Sequence, residues 1–516
     1  MGAARIQVWS FALVPENQNS VEHQPGCRKH VLSILFLITV ATLVIHGYHP
    51  GAEDGEIYIP GIKKILNPQL YPFGAEFFLN HARLTLFDEL IAASVRLSRL
   101  PLDWVLFLWY VASSFLTVFA CWGLSRECFE EPEAQWAGVL LVGALFTIPV
   151  AGTSLYIADQ YLSSRSIVTF AVLFAIWNAW KARTLPWMLW SAFAVCVHPL
   201  MAMFGISYAV LVLLLRHRMP SWLPGFGVLS LFAIGPPISL QTLIPMPSAA
   251  YQQAVATRSY FFILQWQWYE LLGAVAPLLL VWLMGRYSDR NKWNALPSMS
   301  VALIMYALFY FILALVITIP VRFEALARLQ PMRSLHLVYI LACLWGGGML
   351  GKCVLKRHRW RWIVVFGPLC AGMFVAQREL FPSSAHIEWP AATPSNDWLK
   401  AFQWISRNTP EDAVFAIDPD YMRKDDQHGF RAIAERSRLA DAVKDAGAVT
   451  MFPEPPTAEH WLEQTKAQAG WGQFQADDFR RLKQTYGVSW VVLERPARVS
   501  FNCPYQNSTL EICRVN

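Results

Sequence analysis

The chain has 516 residues, of which 55% are hydrophobic and only 15% are charged, and its mean hydropathy is +0.34. This composition excludes a wholly soluble protein and predicts a multi-pass membrane protein with enough polar sequence for one soluble domain. Lys and Arg at the ends of membrane spans account for the net charge of +6, so no nucleic-acid partner is expected. None of the nine cysteines belongs to a CxxC motif or to a Cys/His cluster with the spacing typical of zinc sites.

The N-terminal residues 1–30 are polar and lack the pattern of a cleaved signal peptide. Their last three residues, "RKH", directly precede an apolar run from Val31 to Ile45. Because basic residues favour the cytoplasmic end of a span, we predict a retained first span and a cytoplasmic tail at residues 1–30.

Apolar runs recur through residues 31–377 and predict a helical transmembrane domain of about eleven spans, at the usual length of ~20 residues. After the first, the runs are Leu102 to Leu124, Trp136 to Val150, Ser166 to Trp180, Trp187 to Val197, Leu200 to Leu215, Trp222 to Leu243, Trp268 to Met284, Met299 to Ile319, Leu335 to Leu350 and Trp362 to Val375. Threading them alternately puts the basic clusters, such as "KCVLKRHRWR", on the cytoplasmic side, as the positive-inside rule requires. An odd number of spans sends the C-terminal tail to the outer side.

The long first outer loop, residues 47–101, carries Glu53, Asp54 and Glu56 directly after the first span. Apolar residues at helical spacing follow these acids and predict two helices that lie along the membrane surface. A glycine after Asp54 and the helix that follows favour a positioned turn over a free loop. The alternative is that these acids only solvate the loop, and Glu53 or Glu56 can instead pair with a lysine of "IKK".

Other polar residues are predicted on the same outer face, where carboxylates and guanidinium groups together would form a pocket. Asp159 and Arg165 lie between the third and fourth spans, and they can equally form a salt bridge without chemistry. His198 precedes a proline, so a structural role that ends a span competes with substrate binding. Arg333 begins a span and is the best candidate for a phosphate ligand, whereas Arg328 can instead contact lipid head groups.

The tail, residues 378–516, is rich in charge and alternates helix and strand signals, which predicts a small α/β domain outside the membrane. A helix is expected to start near Ser395 and a strand to run from Ala413 to Ile417. A second helix is expected to run to Tyr486, with Gly487 as its cap, and to precede a strand from Val488 to Leu493. Near the C-terminus Cys503 and Cys513 lie on a predicted hairpin, where they either form a disulfide or stay unpaired.

This arrangement resembles the GT-C superfamily of integral membrane glycosyltransferases. "AEDGE" takes the position of the acidic motif of that superfamily, and "ADQYLSSR" takes that of a second acidic site in the next outer loop. "WISRNTPEDAVFAIDPD" and "GVSWVVLER" are similar to the extracytoplasmic domains of bacterial members. The tail signature of oligosaccharyltransferases and the Asp-Glu pair of protein mannosyltransferases are both missing, so the sugar and the acceptor stay open.

The resemblance implies a bacterial inner-membrane enzyme, with a periplasmic tail domain, that takes a sugar from a polyprenyl-phosphate lipid. Asp54 or Glu53 would be the base, and Asp159 would orient the acceptor or help to hold Mg²⁺ or Mn²⁺. Arg333, with Arg165, would stabilise the departing phosphate. The remaining substrate contacts would come from Glu56, His198 and Arg328.

Two other classes fit the same sequence. A transporter or flippase would use the outer acids for ion or lipid-head binding, although such proteins usually carry ionisable residues near the bilayer midplane. A scaffold would need no pocket, and its acids and arginines could be exchanged freely. The sequence has no Gly-rich phosphate loop, which argues against an ATP-driven pump.

Overall fold

The computed structural model describes residues 25–82, 85–216, 248–290, 295–319, 326–424, 426–452, 454–497 and 499–516. Within them the chain forms a bundle of apolar helices followed by a small C-terminal domain built on a β-sheet. Six of the described helical segments are long and apolar enough to cross a membrane. The protein is therefore a mostly helical, multi-pass membrane protein, and the number of spans predicted from the sequence is larger than these six.

Every predicted apolar run that falls within the described residues overlaps a helix, although the run Trp136 to Val150 passes the end of its helix at Ala144 and ends in a short strand. The run Trp222 to Leu243 lies outside the described residues. The helices of this part of the chain are α1 Pro25–His46, α2 Gly55–Leu66, α3 Glu76–Ala82, α4 Phe87–Ser98, α5 Leu102–Cys128, α6 Pro132–Ala144, α7 Ser164–Trp180, α8 Thr184–Val197, α9 Pro199–Arg216, α10 Ala249–Ala256, α11 Trp268–Arg290, α12 Leu296–Thr318, α13 Leu335–Leu350 and α14 Arg359–Leu380. A short hairpin, β1 Pro149–Val150 with β2 Leu155–Tyr156, precedes α7.

Small residues let α6 and α13 approach closely. A Cβ atom on Gly138 would lie 2.5 Å from the Leu344 carbonyl oxygen, and one on Gly347 would lie 2.6 Å from the Ala137 carbonyl oxygen. Membrane helices pack through such contacts because lipid gives them little hydrophobic reason to associate. The outward faces of other helices keep large apolar side chains exposed, such as Leu37 on α1, and lipid tails would cover these faces.

The C-terminal domain contains a five-stranded sheet in the order β4-β3-β5-β7-β6. The first three strands of this order are parallel, and β7 runs antiparallel to both of its neighbours. Its strands are β3 Val414–Ile417, β4 Ser437–Arg438, β5 Val488–Glu494, β6 Asn502–Gln506 and β7 Leu510–Arg514. Its helices are α15 Asp397–Asn408, α16 Phe430–Ala434, α17 Lys444–Met451, α18 Pro455–Ala467 and α19 Ala476–Tyr486.

Local signals in the tail sequence agree with this domain. The helix expected near Ser395 begins at Asp397, because the Asn396 side chain accepts the Trp398 backbone N–H at 2.8 Å. At the end of α19, Gly487 adopts a left-handed conformation with φ +73°, which glycine tolerates without a steric penalty. The structure joins Cys503 to Cys513 across β6 and β7 by a disulfide.

The loop after α1, residues 47–101, packs directly against the C-terminal domain. Tyr48 pairs with Ile387 in a parallel bridge, and Ala52 pairs with His428 in an antiparallel bridge. Both segments therefore lie on the same side of the helix bundle. The expected interfacial helices correspond to α2 and α4, yet one face of α2 is buried against the protein.

Candidate functional site

The loop after α1 turns sharply at Glu53 and Asp54 before α2 begins. Glu53 has a left-handed backbone with φ +50°, which is uncommon for a residue with a side chain. Asp54 occupies the N-cap position of α2, but its side chain does not cap the helix. Its backbone N–H donates instead to the Tyr161 hydroxyl at 3.4 Å. The turn thus fixes both carboxylates at one edge of the C-terminal domain.

Two cations contact the Asp54 carboxylate from different parts of the chain. Arg165 Nη1 lies 2.9 Å from Asp54 Oδ2, and Lys444 Nζ lies 3.2 Å from Asp54 Oδ1. Lys444 also forms an ion pair with Glu53. Because Arg165 lies in the first turn of α7 and Lys444 begins α17, Asp54 links the bundle to the C-terminal domain.

Asp159 lies on the other side of Arg165 and orients its guanidinium group. Asp159 Oδ2 accepts hydrogen bonds from Arg165 Nη2 at 2.9 Å and Nε at 3.2 Å, and from the Ser163 hydroxyl at 2.9 Å. Ser163 in turn caps the N-terminus of α7 through a capping box with Ser166. The salt bridge that the sequence left as an alternative for Asp159 is therefore present.

The basicity of Asp54 depends on the charges around it. The Asp54 cluster consists of Glu53, Asp54, Asp159, Arg165 and Lys444. Burial alone would raise the pKa of Asp54, but Lys444 and Arg165 beside it hold that pKa well below its ordinary value. Burial would lower the pKa of Lys444, whereas Glu53 and Asp54 raise it above its ordinary value. Asp54 is thus ionised and only weakly basic while both cations contact it, although a general base works best with a pKa near the working pH.

The expected Mg²⁺ or Mn²⁺ does not fit this cluster. Three donors already converge on Asp159 Oδ2, and the two oxygens of Asp54 each face a cation. A divalent metal needs free carboxylate oxygens and would be repelled by Arg165 and Lys444. Most carboxylate oxygens of the Asp54 cluster are therefore engaged by protein cations and donors, which makes the cluster a poor fit for a divalent metal.

Arg333 lies near this cluster but makes different contacts. It belongs to the short 3-10 helix Pro331–Ser334 that leads into α13, and its guanidinium lies over the Tyr260 ring at 5.7 Å. Its Nε atom is buried and has no hydrogen-bond partner. Among the described residues no carboxylate forms an ion pair with Arg333, so its charge is left without a partner anion.

Two small cavities lie between the surroundings of Arg333 and those of Arg165. The first has a volume of about 20 Å³ and is lined by Arg333 together with residues of α7, α9 and α13. The second also has a volume of about 20 Å³, and its lining includes Asp159 and Arg165. Thr169 and His336 line both cavities. The cavity beside Asp159 and Arg165 therefore adjoins the cavity beside the Arg333 guanidinium.

Two further predicted ligands lie in ordinary structural positions. His198 separates α8 from α9, and its Nδ1 accepts the Met201 backbone N–H at 3.4 Å, in agreement with the structural alternative. Arg328 is half-buried in the segment before Arg333. Within the described part of the chain Arg328 forms no ion pair with a carboxylate.

Glu56, predicted to bind substrate, lies instead in a buried ion-pair network that is separate from the Asp54 cluster. Its side chain is fully buried, and Glu56 Oε1 lies 2.9 Å from Arg438 Nη2 and 3.4 Å from Arg431 Nη1. Both arginines also pair with carboxylates of their own domain, Asp441 and Asp445. Glu56 thus fastens the first loop to the C-terminal domain, and no lysine of "IKK" is its partner.

Sequence reasoning missed the residues that the C-terminal domain contributes to these contacts. Lys444, Arg431 and Arg438 come from a segment with many charges at helical spacing, which is also the pattern of a solvated surface. The partners of these residues in the first loop lie more than 370 positions away in the chain. No local periodicity carries such pairings, so the density of charge was the only available signal.

A family model described as a domain of unknown function (DUF6798) matches residues 396–446. The matched segment includes Arg431, Arg438 and Lys444, the three cations of the C-terminal domain that pair with Glu56 and Asp54 of the first loop. No curated protein is significantly similar to the chain. The matched model names no activity.

Proposed function

We propose that the protein is a GT-C-type glycosyltransferase that moves a sugar from a polyprenyl-phosphate donor to an acceptor at the outer face of a bacterial cytoplasmic membrane. The observation that carries the proposal is the half-buried Arg333, which lines a cavity, has a buried Nε atom without a hydrogen-bond partner and has no carboxylate partner among the described residues. A buried N–H donor without a hydrogen-bond partner is costly, and a phosphate is an anion that the fork of N–H donors of a guanidinium fits well.

The same arrangement supports a two-arginine site for the donor. Arg165 lines the neighbouring cavity, and Thr169 and His336 border both spaces. A phosphate bound to Arg333 would also attract Arg165, whose Nη1 atom now contacts Asp54. Movement of Arg165 toward the phosphate would remove one of the two cations that depress the pKa of Asp54. Donor binding would thus make Asp54 a stronger base.

The transfer itself then needs few groups. The acceptor hydroxyl oxygen attacks the anomeric carbon of the sugar, and its proton passes to the Asp54 carboxylate. The bond between the anomeric carbon and the phosphate oxygen breaks, and the polyprenyl phosphate leaves with the electron pair. Arg333 and Arg165 stabilise the charge that develops on the phosphate. Asp159 acts as a positioning residue because it orients Arg165, and the Glu53 ion pair holds Lys444 at the site.

A lipid flippase is the second candidate, and the low basicity of Asp54 favours it. A protein that only binds and moves a polyprenyl-phosphate lipid would use Arg333 in the same way but would need no base. The two candidates therefore predict the same lipid and differ in whether the sugar is transferred.

The phosphate site can be tested by mass spectrometry of the lipids that co-purify with the full-length protein in mild detergent. We expect polyprenyl phosphate, with or without a sugar, in the wild type and a loss of about tenfold or more in Arg333→Ala, since a charge-assisted phosphate contact is worth roughly 1.5–3 kcal/mol. Arg333→Lys keeps the charge but not the fork and should retain an intermediate amount.

Arg216→Ala serves as the matched control. Arg216 also lies at a helix end, over the Trp180 ring at 3.9 Å, but at the end of α9 away from His198. Arg216→Ala should retain the lipid. Arg333→Ala and Arg216→Ala must both elute from a size-exclusion column at the volume of the wild type. Bulk phospholipid alone in the wild type, or equal polyprenyl phosphate in Arg333→Ala, would refute the phosphate site.

A further inference from the structure

Three chain segments bring two histidines and a glutamate together at the junction of the first loop and the C-terminal domain. His49 Nδ1 and His428 Nε2 each lie 2.8 Å from Glu388 Oε1. One nitrogen of each histidine and one oxygen of Glu388 lie within 4.8 Å of one another. Both imidazole side chains are completely buried, and the Glu388 side chain is 15% exposed. None of the three belongs to the Asp54 cluster or to the Glu56 network.

Backbone pairing positions Glu388 beside the first loop. Tyr48 and Ile387 form a parallel bridge, and the Glu388 N–H donates to the Tyr48 carbonyl at 2.9 Å. His49 is the next residue after Tyr48, so its ring is delivered to the Glu388 carboxylate. The Phe381 ring stacks on His49 with their centroids 3.7 Å apart and restricts the orientation of the imidazole.

A second backbone pairing delivers His428 from the opposite direction. Ala52 and His428 form an antiparallel bridge, and the Gly429 N–H donates to the Gly51 carbonyl at 2.7 Å. The two bridges lie on either side of His49 in the sequence. The positions of all three side chains therefore follow from the docking of the loop, and they do not depend on one flexible contact.

We propose that His49, Glu388 and His428 form a binding site for Zn²⁺. Two imidazole nitrogens and one carboxylate oxygen are a common zinc ligand set, and three protein ligands leave one position open to water. Mg²⁺ and Ca²⁺ prefer sites made of oxygen atoms, so the two nitrogens select against them. The three ligands come from separate segments, which is why no cluster with zinc spacing is visible in the sequence.

The bound ion would join the first loop to the C-terminal domain five positions before Asp54 in the sequence. Because the loop supplies one ligand and the domain supplies the other two, metal binding would stabilise their contact. A zinc clamp at this junction would serve any function of the Asp54 cluster, so the site does not depend on the proposed transferase.

Without a metal, the same contacts describe a carboxylate that accepts hydrogen bonds from two imidazoles. The test must therefore measure metal directly. The full-length protein, carrying an affinity tag without histidine, is purified without chelators and analysed by inductively coupled plasma mass spectrometry. We expect about one zinc per chain in the wild type and a loss of ~10-fold or more in His49→Ala, His428→Ala and Glu388→Gln.

His460→Ala is the matched control, because His460 is 58% exposed on α18 and lies outside the site. This variant should keep its zinc. A second measurement uses only the wild type, so it does not depend on whether the variants fold. The wild type is stripped of metal with EDTA, and its Tm is measured after ZnCl₂ or MgCl₂ is added back. We expect ZnCl₂ but not MgCl₂ to restore Tm. Substoichiometric zinc in the wild type, together with no response of Tm to ZnCl₂, would overturn the proposal in favour of the hydrogen-bonded triad.

Discussion

Arg438 is the residue whose removal should most damage the junction between the first loop and the C-terminal domain. Its side chain is completely buried and pairs with Glu56 and Asp441, and its Nη1 atom lies 3.7 Å from Asp445 Oδ2. In Arg438→Met three buried carboxylates would share the single guanidinium of Arg431. Breaking a buried ion pair by removing one partner costs about 3–5 kcal/mol.

The assay is thermal unfolding of the full-length protein in detergent, followed by intrinsic tryptophan fluorescence. At roughly 2–4 °C per kcal/mol for a unit of this size, Arg438→Met should lower the Tm of the domain by about 10 °C. The matched control is Arg423→Met, which removes an ion pair with Asp420 that is more than half exposed on both sides. Exposed pairs contribute little, so this control should unfold as the wild type does.

A double-mutant cycle separates the ion-pair contribution from simple loss of packing. Glu56→Gln removes one of the three carboxylate charges, so it should be less damaging in the Arg438→Met background than in the wild type. If Arg438→Met unfolds with its Arg423→Met control, or if the two substitutions are simply additive, the charge network does not hold the loop to the domain and the reasoning fails.

The remaining ion pairs and the disulfide give three more predictions. Lys444 and Arg165 lower the pKa of Asp54 below its unfolded value of about 3.9, so the stabilisation from these ion pairs is complete above that pH and is lost as the pH falls through the folded pKa. The Tm difference between the wild type and Asp54→Asn should therefore narrow below about pH 4. A Tm difference that stays constant with pH would contradict the ion pairs. Lys444→Met removes one cation, so the acidic limb of the pH–rate profile for release of polyprenyl phosphate should move to higher pH; an unmoved limb would show that Asp54 is not the titrating base. Cys503→Ser opens a disulfide ring whose cysteines are 10 residues apart, which costs about 3 kcal/mol in loop entropy. The variant should have the same Tm as the reduced wild type. Equal Tm values for the wild type with and without reductant would mean that the disulfide adds no stability.

Local patterns in the sequence predicted the helices and most of the tail domain. Apolar runs give helices because the backbone must satisfy its own hydrogen bonds in lipid, and this signal is contained within each run. The same holds for the cap at Asn396 and for the left-handed Gly487, which a few neighbouring residues determine. The prediction of about eleven spans depended on where short runs were divided, and the six long apolar helices do not settle that division.

The contacts of the site depended on information that no local pattern holds. The acidic turn at Asp54 was visible in the sequence, but its partner Lys444 comes from a helix 390 positions away. Glu56 has the same local surroundings as Asp54, and only the docked domain separates their environments, because Arg431 and Arg438 surround Glu56. Neighbouring carboxylates in one loop thus acquire different surroundings through tertiary contacts.

Transfer of a sugar from a polyprenyl-phosphate lipid can be measured as turnover in proteoliposomes. The protein is reconstituted with a lipid extract of its host membrane, and free polyprenyl phosphate is followed over time by mass spectrometry. We expect steady release by the wild type and none above background by Asp54→Asn, with Arg216→Ala active as the control. No release by the wild type, or equal release by Asp54→Asn, would contradict the proposed transfer. If the wild type releases no polyprenyl phosphate but still binds the lipid, the result favours the flippase.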